Sequence, residues 1–315
     1  MADHLVLPRE TESSNPMPLK TLPIAGTRRR EILKVEANQS AFVSDALAVE
    51  EPLEIKLAYG PSNNRTVKSI AVTMRTPGND AELTIGFLLT EGVLREPDDI
   101  ERITVAARAP EVERESDADD ELVHARNSIL IELAPDVEIS LNTLERNFYT
   151  TSSCGICGKA SLLALRSVCP PRRSNAFDIA ASVLLSVPDR LRRAQGNFQQ
   201  TGGLHAAGLF DREGNLLSLR EDVGRHNAVD KLLGAEFLAD RTPLVQRLLL
   251  LSGRASFELL QKAVMAGIPM IASVGAPSSL AVRVAEQFDV TLIGFLRENR
   301  FNIYHGADHV MGLEV

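Results

Sequence analysis

Cys154 and Cys157 stand in a Cys-x-x-Cys spacing within Thr151-Ser-Ser-Cys-Gly-Ile-Cys-Gly-Lys159. The only other cysteine is Cys169, and three in 315 residues are too few for a disulfide framework. The pair therefore points to chemistry. Gly155 and Gly158 can adopt positive φ, so the backbone around the pair can turn sharply and move. Lys159-Ala-Ser-Leu-Leu-Ala-Leu-Arg166 follows as a strong helix former, its N-terminus expected near Gly158 to Ala160. A helix N-terminus and the Lys159 ammonium both favour thiolate over thiol. The reading is a mobile arm carrying a low-pKa thiolate. Half of a zinc site, or a pair of buried thiols, are the bland alternatives.

Further polar signatures lie downstream. Thr201-Gly202-Gly203 with His205 opens a strand, and Glu221-Asp222-Val-Gly-Arg-His226 ends one and starts a helix, with Asp230 one turn beyond His226. Ser252-Gly-Arg254-Ala-Ser256 and Gly275-Ala-Pro-Ser-Ser279 each follow a strand and open a helix. Phe295-Leu296-Arg297-Glu298-Asn299-Arg300 follows the last expected strand. In α/β sheets, ligands bind at strand carboxyl ends and helix N-termini. Glycines with free backbone donors, together with Arg254, Arg297 and Arg300, suit a phosphate-bearing ligand. Each signature alone is weak, a strand-end Gly-Arg-x-Ser being more often a turn with a surface charge, and His226 with Asp230 reads equally as a helix-stabilising pair or a catalytic one.

The elements that must position these residues follow from periodicity. Residues 1–40 mix Pro, Ser, Asn and charge and are expected to be a mostly disordered tail, with Arg28-Arg29-Arg30 a solvated cluster. Residues 41–150 read as a small α+β domain: a hairpin of strands 53–59 and 69–74, a helix over 81–90, and strands near 100–107 and 128–133. The acidic run Glu111 to Glu121 reads as a solvated loop. Residues 151–172 hold the cysteine loop and the start of its helix. Residues 173–315 form an α/β domain with a largely parallel inner sheet. There, helices are expected over 178–187, 187–194, 222–233 (capped by Asp222, ended by Gly234), 256–266 and 280–288. Its strands are expected near 204–210, 216–220, 248–251, 268–273 and 290–295.

Composition narrows the function classes. A net charge of −8 gives no basic field for nucleic acid or anionic lipid, and the absence of Trp weakens base stacking. No apolar run approaches membrane-spanning length and no export signal is seen, so a soluble, cytoplasmic protein is expected. A zinc hydrolase of the nucleoside-deaminase type needs a His-x-Glu or Cys-x-Glu element. Here Ser153 precedes Cys154, and Asn227 and Ala228 follow His226, so the proton carrier is missing. Sulfur transfer needs a nucleophilic cysteine on a mobile arm, which is present.

The cysteine loop, Phe198-Gln-Gln-Thr-Gly-Gly-Leu-His-Ala-Ala-Gly-Leu-Phe210, Arg220 to Gly234, Ser252 to Val282 and Ile293 to Tyr304 together resemble the FdhD family in order and spacing, across residues 41 to 305. The resemblance implies a sulfur carrier required for formate dehydrogenase activity. In such a carrier a cysteine desulfurase passes sulfur as a persulfide. The carrier transfers it to the molybdenum or tungsten cofactor, a bis-molybdopterin guanine dinucleotide, before its insertion into formate dehydrogenase. It assigns Cys154 as the persulfide cysteine, Cys157 as its loop partner, and Phe295 to Arg300 to the cofactor. It also implies a homodimer, and a cytidine-deaminase-like three-layer second domain without catalytic zinc. By position rather than resemblance, Gly202, Gly203, His226, Arg254 and Ser256 are expected to line the same cavity. A cofactor-binding chaperone, with cysteines serving structure or redox, is the competing reading.

Overall fold

The computed structural model describes residues 26–106, 127–137 and 177–313. Cys154, Cys157, Lys159 and its expected helix, the acidic run and Cys169 lie outside the described residues.

Strands β3 (Glu51–Tyr59), β4 (Thr66–Arg75), β5 (Ile100–Val105) and β6 (Ser128–Leu133) form a four-stranded sheet in the order β4-β3-β6-β5. Alternation sends Leu53, Ile55 and Leu57 of β3 and Ile129, Ile131 and Leu133 of β6 to one face. Helix α1 (Asp80–Thr90) covers that face with Leu83, Ile85, Leu88 and Leu89. Each such fully buried side chain contributes about 1.5–3 kcal/mol. The expected hairpin, helix and strands are present here within a few residues.

The second sheet has six strands in the order β13-β12-β11-β10-β8-β9. These are β8 (His205–Phe210), β9 (Leu216–Asp222), β10 (Leu248–Leu251), β11 (Met270–Ser273), β12 (Thr291–Arg297) and β13 (Arg300–His305). β10, β11 and β12 are parallel neighbours; the outer pairings are antiparallel. Both faces are covered, which is why Leu248 to Leu251 is uniformly apolar. Leu249 and Leu251 face α4 (Arg225–Leu238), α5 (Phe257–Met265) and α6 (Ser279–Phe288). Leu248 and Leu250 face α2 (Ala181–Ala194). The α/β domain expected from the sequence, with helices on both faces of its sheet, is the one found, and parallel pairing is confined to β10, β11 and β12. Short strands β7 (Ile179–Ala180) and β14 (Val310–Met311) pair beside α2, and α3 (Gly196–Thr201) precedes β8.

The two sheets are joined through the crossing of α1 and α4. A Cβ on Gly86 would lie 1.8 Å from the Asp230 carbonyl oxygen, and one on Gly234 would lie 1.8 Å from that of Glu82. Backbone touches backbone there. Phe237 of α4 accordingly sits in the core of the small sheet.

Four local expectations are corrected. The ordered chain does not begin near Ala41: β1 (Thr27–Glu36) and β2 (Gln39–Ala48) form an antiparallel ribbon. Its turn is Ala37-Asn38 with Ala37 at φ 51°, and its faces are mostly exposed, so neither turn residue type nor burial pattern announces it. The two helices expected to meet at Val187 are one helix despite Pro188, because Leu184, Val187 and Leu191 form one continuous buried stripe. Asp222 does not cap α4; it ends β9, and Gly224 is the residue before the helix. Gly234 does not end α4 but lies inside it, where only glycine permits the crossing.

Candidate functional site

Topology gathers the downstream signatures on one sheet edge. β9 and β10 both pair antiparallel with β8, so they run parallel to each other and to β11 and β12. The carboxyl ends of β9, β10, β11 and β12 therefore share an edge with the start of β8 and the start of β13. His205, Asp222 to His226, Ser252 to Ser256, Val274 to Ser278, and Phe295 to Arg300 all lie along it.

The loops on this edge are stitched by backbone bonds. Gly275 N–H donates to the Gly253 carbonyl (2.8 Å), Ser278 N–H to that of Ala255 (2.9 Å), and Phe295 N–H to that of Gly275 (3.0 Å). A Cβ on Gly275 would lie 2.9 Å from both the Gly253 carbonyl oxygen and Arg254 Cγ, so glycine is required for that approach. Phe295 to Arg300 is not an open loop. β12 runs to Arg297, β13 starts at Arg300, and Glu298-Asn299 is the turn between them. A register shift between Gly294 and Arg297 accompanies Phe295 at φ 54°, leaving its ring partly exposed while Leu296 is buried. Arg297 Nη1 donates to the Val274 carbonyl at 2.6 Å, binding this turn to the end of β11. Arg254 and Arg300 are exposed at the ends of β10 and the turn.

Gly202 and Gly203 sit further along. Gly202 ends α3 at φ 65°, and Gly203 packs against Ala48 of the ribbon. β8 lies three strands from β12, about 14 Å at a strand spacing of ~4.8 Å. A single phosphate cannot reach both Gly203 and Arg297; a long ligand can.

Between these ends, α4 and α5 point their N-termini at the edge. Ser256 precedes α5 but makes no capping bond, and its Oγ, like Arg225 Nε, is enclosed without a hydrogen-bond partner among the described residues. Such donors suit an incoming acceptor. His226 does not pair with Asp230. Its Nε2 lies 2.8 Å from Glu258 Oε2, an ion-pair distance whose angle is not that of a directed hydrogen bond. The His226 contact holds the Glu258 carboxyl below its ordinary value against the opposing effect of burial. Asp230 instead receives Lys262 Nζ at 2.7 and 2.9 Å, with Thr90 Oγ1 at 3.3 Å. Burial pushes the Asp230 carboxyl up and the Lys262 ammonium opposes it.

Asp222 is fully buried and accepts from Thr76 N–H, Gly224 N–H and Asn227 Nδ2, with Lys231 Nζ at 2.7 Å. Lys231 also donates to the Thr76 carbonyl. These two networks bolt α4 to the small sheet and hold its N-terminus at the edge. Sequence reading missed Glu258, Arg225, Lys231 and Lys262 because nothing in their local pattern marks which helix faces meet.

A crystal structure from Desulfotalea psychrophila, named for a formate dehydrogenase accessory protein, superposes with a TM-score of 0.66 over 90% of this chain and 99% of that one, at 22% identity. The two share a fold. The family model described as the FdhD/NarQ family matches residues 48–311, and the chain belongs to that family. Relatives named "Sulfur carrier protein FdhD" include one from Streptomyces coelicolor, 48% identical over 90% of this chain and 95% of the relative. Another from Mycobacterium tuberculosis is 47% identical over 90% and 98%. One from Sulfolobus acidocaldarius is 40% identical over 90% and 98%. Among the described residues, no helix is long and apolar enough to cross a membrane.

Proposed function

We propose that this chain is a sulfur carrier serving formate dehydrogenase, working in the cytoplasm as a homodimer. The observation that carries the reading is near-full-length similarity to proteins named sulfur carriers, spanning the Cys154-Gly-Ile-Cys157 loop. The donor is a cysteine desulfurase, and the acceptor is a molybdenum cofactor in its bis-molybdopterin guanine dinucleotide form, bound as substrate.

The chemistry balances without an outside oxidant. The Cys154 thiolate attacks the terminal sulfur of the donor's persulfide, a new S–S bond forms, and the donor thiolate leaves. For delivery, the Cys157 thiolate attacks Cys154 Sγ. The bond to the terminal sulfur breaks and that sulfur leaves as hydrosulfide with the bonding electrons. A Cys154–Cys157 disulfide remains, to be reduced by a dithiol before the next cycle. Phe295 to Arg300, with Arg254, Ser256 and His226, are assigned to the cofactor's polar groups, and Gly202 and Gly203 to its far end.

The test is intact mass after reduced protein is incubated with a cysteine desulfurase and free cysteine. Wild type should gain one sulfur atom, removable by reductant, and Cys154→Ala should not. No gain in wild type, with cofactor still bound, would replace the carrier by a cofactor-binding chaperone.

A further inference from the structure

The ribbon of β1 and β2 carries more apolar surface than it covers. Its strands pair only with each other among the described residues, and a lone two-stranded ribbon is marginal in water. A strand with one face to solvent alternates apolar and polar residues. Here Leu33 pairs with Phe42 and Ile32 with Val43, so both faces of the outer half are apolar. On the Leu33 face, Phe42 is 72% exposed, Val35 65% and Leu33 54%. The base of the ribbon is pinned. Val49 N–H donates to the Gly26 carbonyl at 2.9 Å, a Cβ on Gly26 would lie 2.7 Å from Thr76 Cγ2, and Ala48 packs against Gly203. From that base the ribbon runs about 30 Å to its turn.

A second patch lies on β4, an edge strand of the small sheet. Val72 pairs with Glu54, Met74 with Pro52 and Val67 with Ala58, so all three point away from α1. The register shift at Ile55 and Lys56 is what brings Val67, an odd number of residues from Val72, onto that face. Each is about half exposed. Within one chain the two patches do not cover each other, because all six side chains stay exposed. Together they present on the order of 500 Å² of apolar surface, near the top of what a monomer leaves uncovered. That is well over half of the ~800 Å² each partner gives to a stable interface. One occupant covers both patches at once, and that is a second copy of this chain. We propose that the ribbon is a dimerisation arm: Leu33, Val35 and Phe42 of each copy pack on Val67, Val72 and Met74 of the other, across a two-fold axis. The proposal rests on the homodimer of the reading above and gives it a contact surface. Such a contact is isologous and closes at two chains. Arg29, Glu31 and Ser44, on the same ribbon face as Leu33, supply its polar rim.

The test is the mass of the full chain in solution, by light scattering and sedimentation over a wide range of concentration. Wild type should show twice the 34.3 kDa of one chain. Phe42→Asp and Val72→Asp, both at exposed positions, should each weaken the dimer by about a hundredfold, because each change strikes both symmetric contacts. A mixture of the two variants should regain part of the dimer, since a mixed pair keeps one contact untouched. Leu217→Asp, a comparably exposed apolar position on β9, should stay dimeric. In wild type, hydrogen exchange of residues 29–46 should be slow at dimer concentrations and fast on dilution, a readout that needs no variant. A dimeric Phe42→Asp would overturn the proposal and leave the homodimer standing on another surface. A dimeric Val72→Asp beside a monomeric Phe42→Asp would overturn the seat on β4. Wild type at the mass of one chain at every concentration would overturn both the arm and the homodimer, while the sulfur-loading experiment decides the carrier reading separately.

Discussion

Replacing Gly86 by Ala tests the geometry on which the joined fold depends. In an exposed helix the change would stabilise, by about 0.8–1.0 kcal/mol, because Ala is the better helix former. Here the new Cβ would lie 1.8 Å from the Asp230 carbonyl oxygen and 2.9 Å from its Cα. Carbon–oxygen contacts settle at ~3.3 Å or more, so the helices must part by roughly 1.5 Å. The atoms in the way are backbone, which cannot rotate aside. Overpacking of this kind costs about 1–3 kcal/mol, occasionally more. The parting also stretches the Lys262–Asp230 and Thr90–Asp230 contacts beside it. The net expectation is a loss of about 2 kcal/mol, read as a drop of about 4–8 °C in Tm. Gly196→Ala is the control: nothing lies within 4 Å of its Cβ. An unchanged Tm for Gly86→Ala, measured beside that control, would refute the close crossing and with it the coupling of the small sheet to the ligand edge.

Two further outcomes follow from the charge pairs. Asp222→Ala should cost about 3–5 kcal/mol in urea denaturation, because it strands a buried ammonium. It should cost more than Lys231→Met, since Asp222 also answers Thr76, Gly224 and Asn227; the reverse order would contradict the network. For Glu258, the folded carboxyl titrates below its ordinary 4.5. The unfolded chain then takes up the proton first as pH falls, so the contribution of Glu258 is complete above about pH 4.5 and lost as pH drops through the lowered value. The difference in stability between wild type and Glu258→Gln should shrink over that window. A constant difference would show that the His226 contact does not form.

The sequence disclosed what periodicity and strand-end chemistry can disclose. Leu248 to Leu251 reads as a strand buried on both faces, and it is one. The signatures near Gly203, His226, Arg254 and Phe295 read as strand-end loops on a common edge, and the parallel run of β9 to β12 puts them there. What stayed hidden is what depends on contacts between distant segments. Gly234 follows an apolar helical run, the ordinary mark of a helix end. It lies inside α4 because a second helix, about 150 residues earlier in the chain, presses its backbone against it. Asp222 has the residue type and place of an N-cap, yet a lysine nine residues on and a backbone N–H from Thr76 outcompete the local bond. His226 and Asp230 are spaced to meet on one helix face, but each finds its partner on α5 instead, Glu258 and Lys262. In each case a local rule named the residue that matters and the wrong partner for it. Gly234, His226 and Asp230 sit on α4, the helix that carries the ligand edge at one end and the small sheet along its length, and Asp222 lies just before it. Tertiary contacts, backbone packing at Gly234 and charge pairs at Asp222, His226 and Asp230, therefore override local rules where the fold transmits position to the site, and those contacts are where substitution should act on function from a distance.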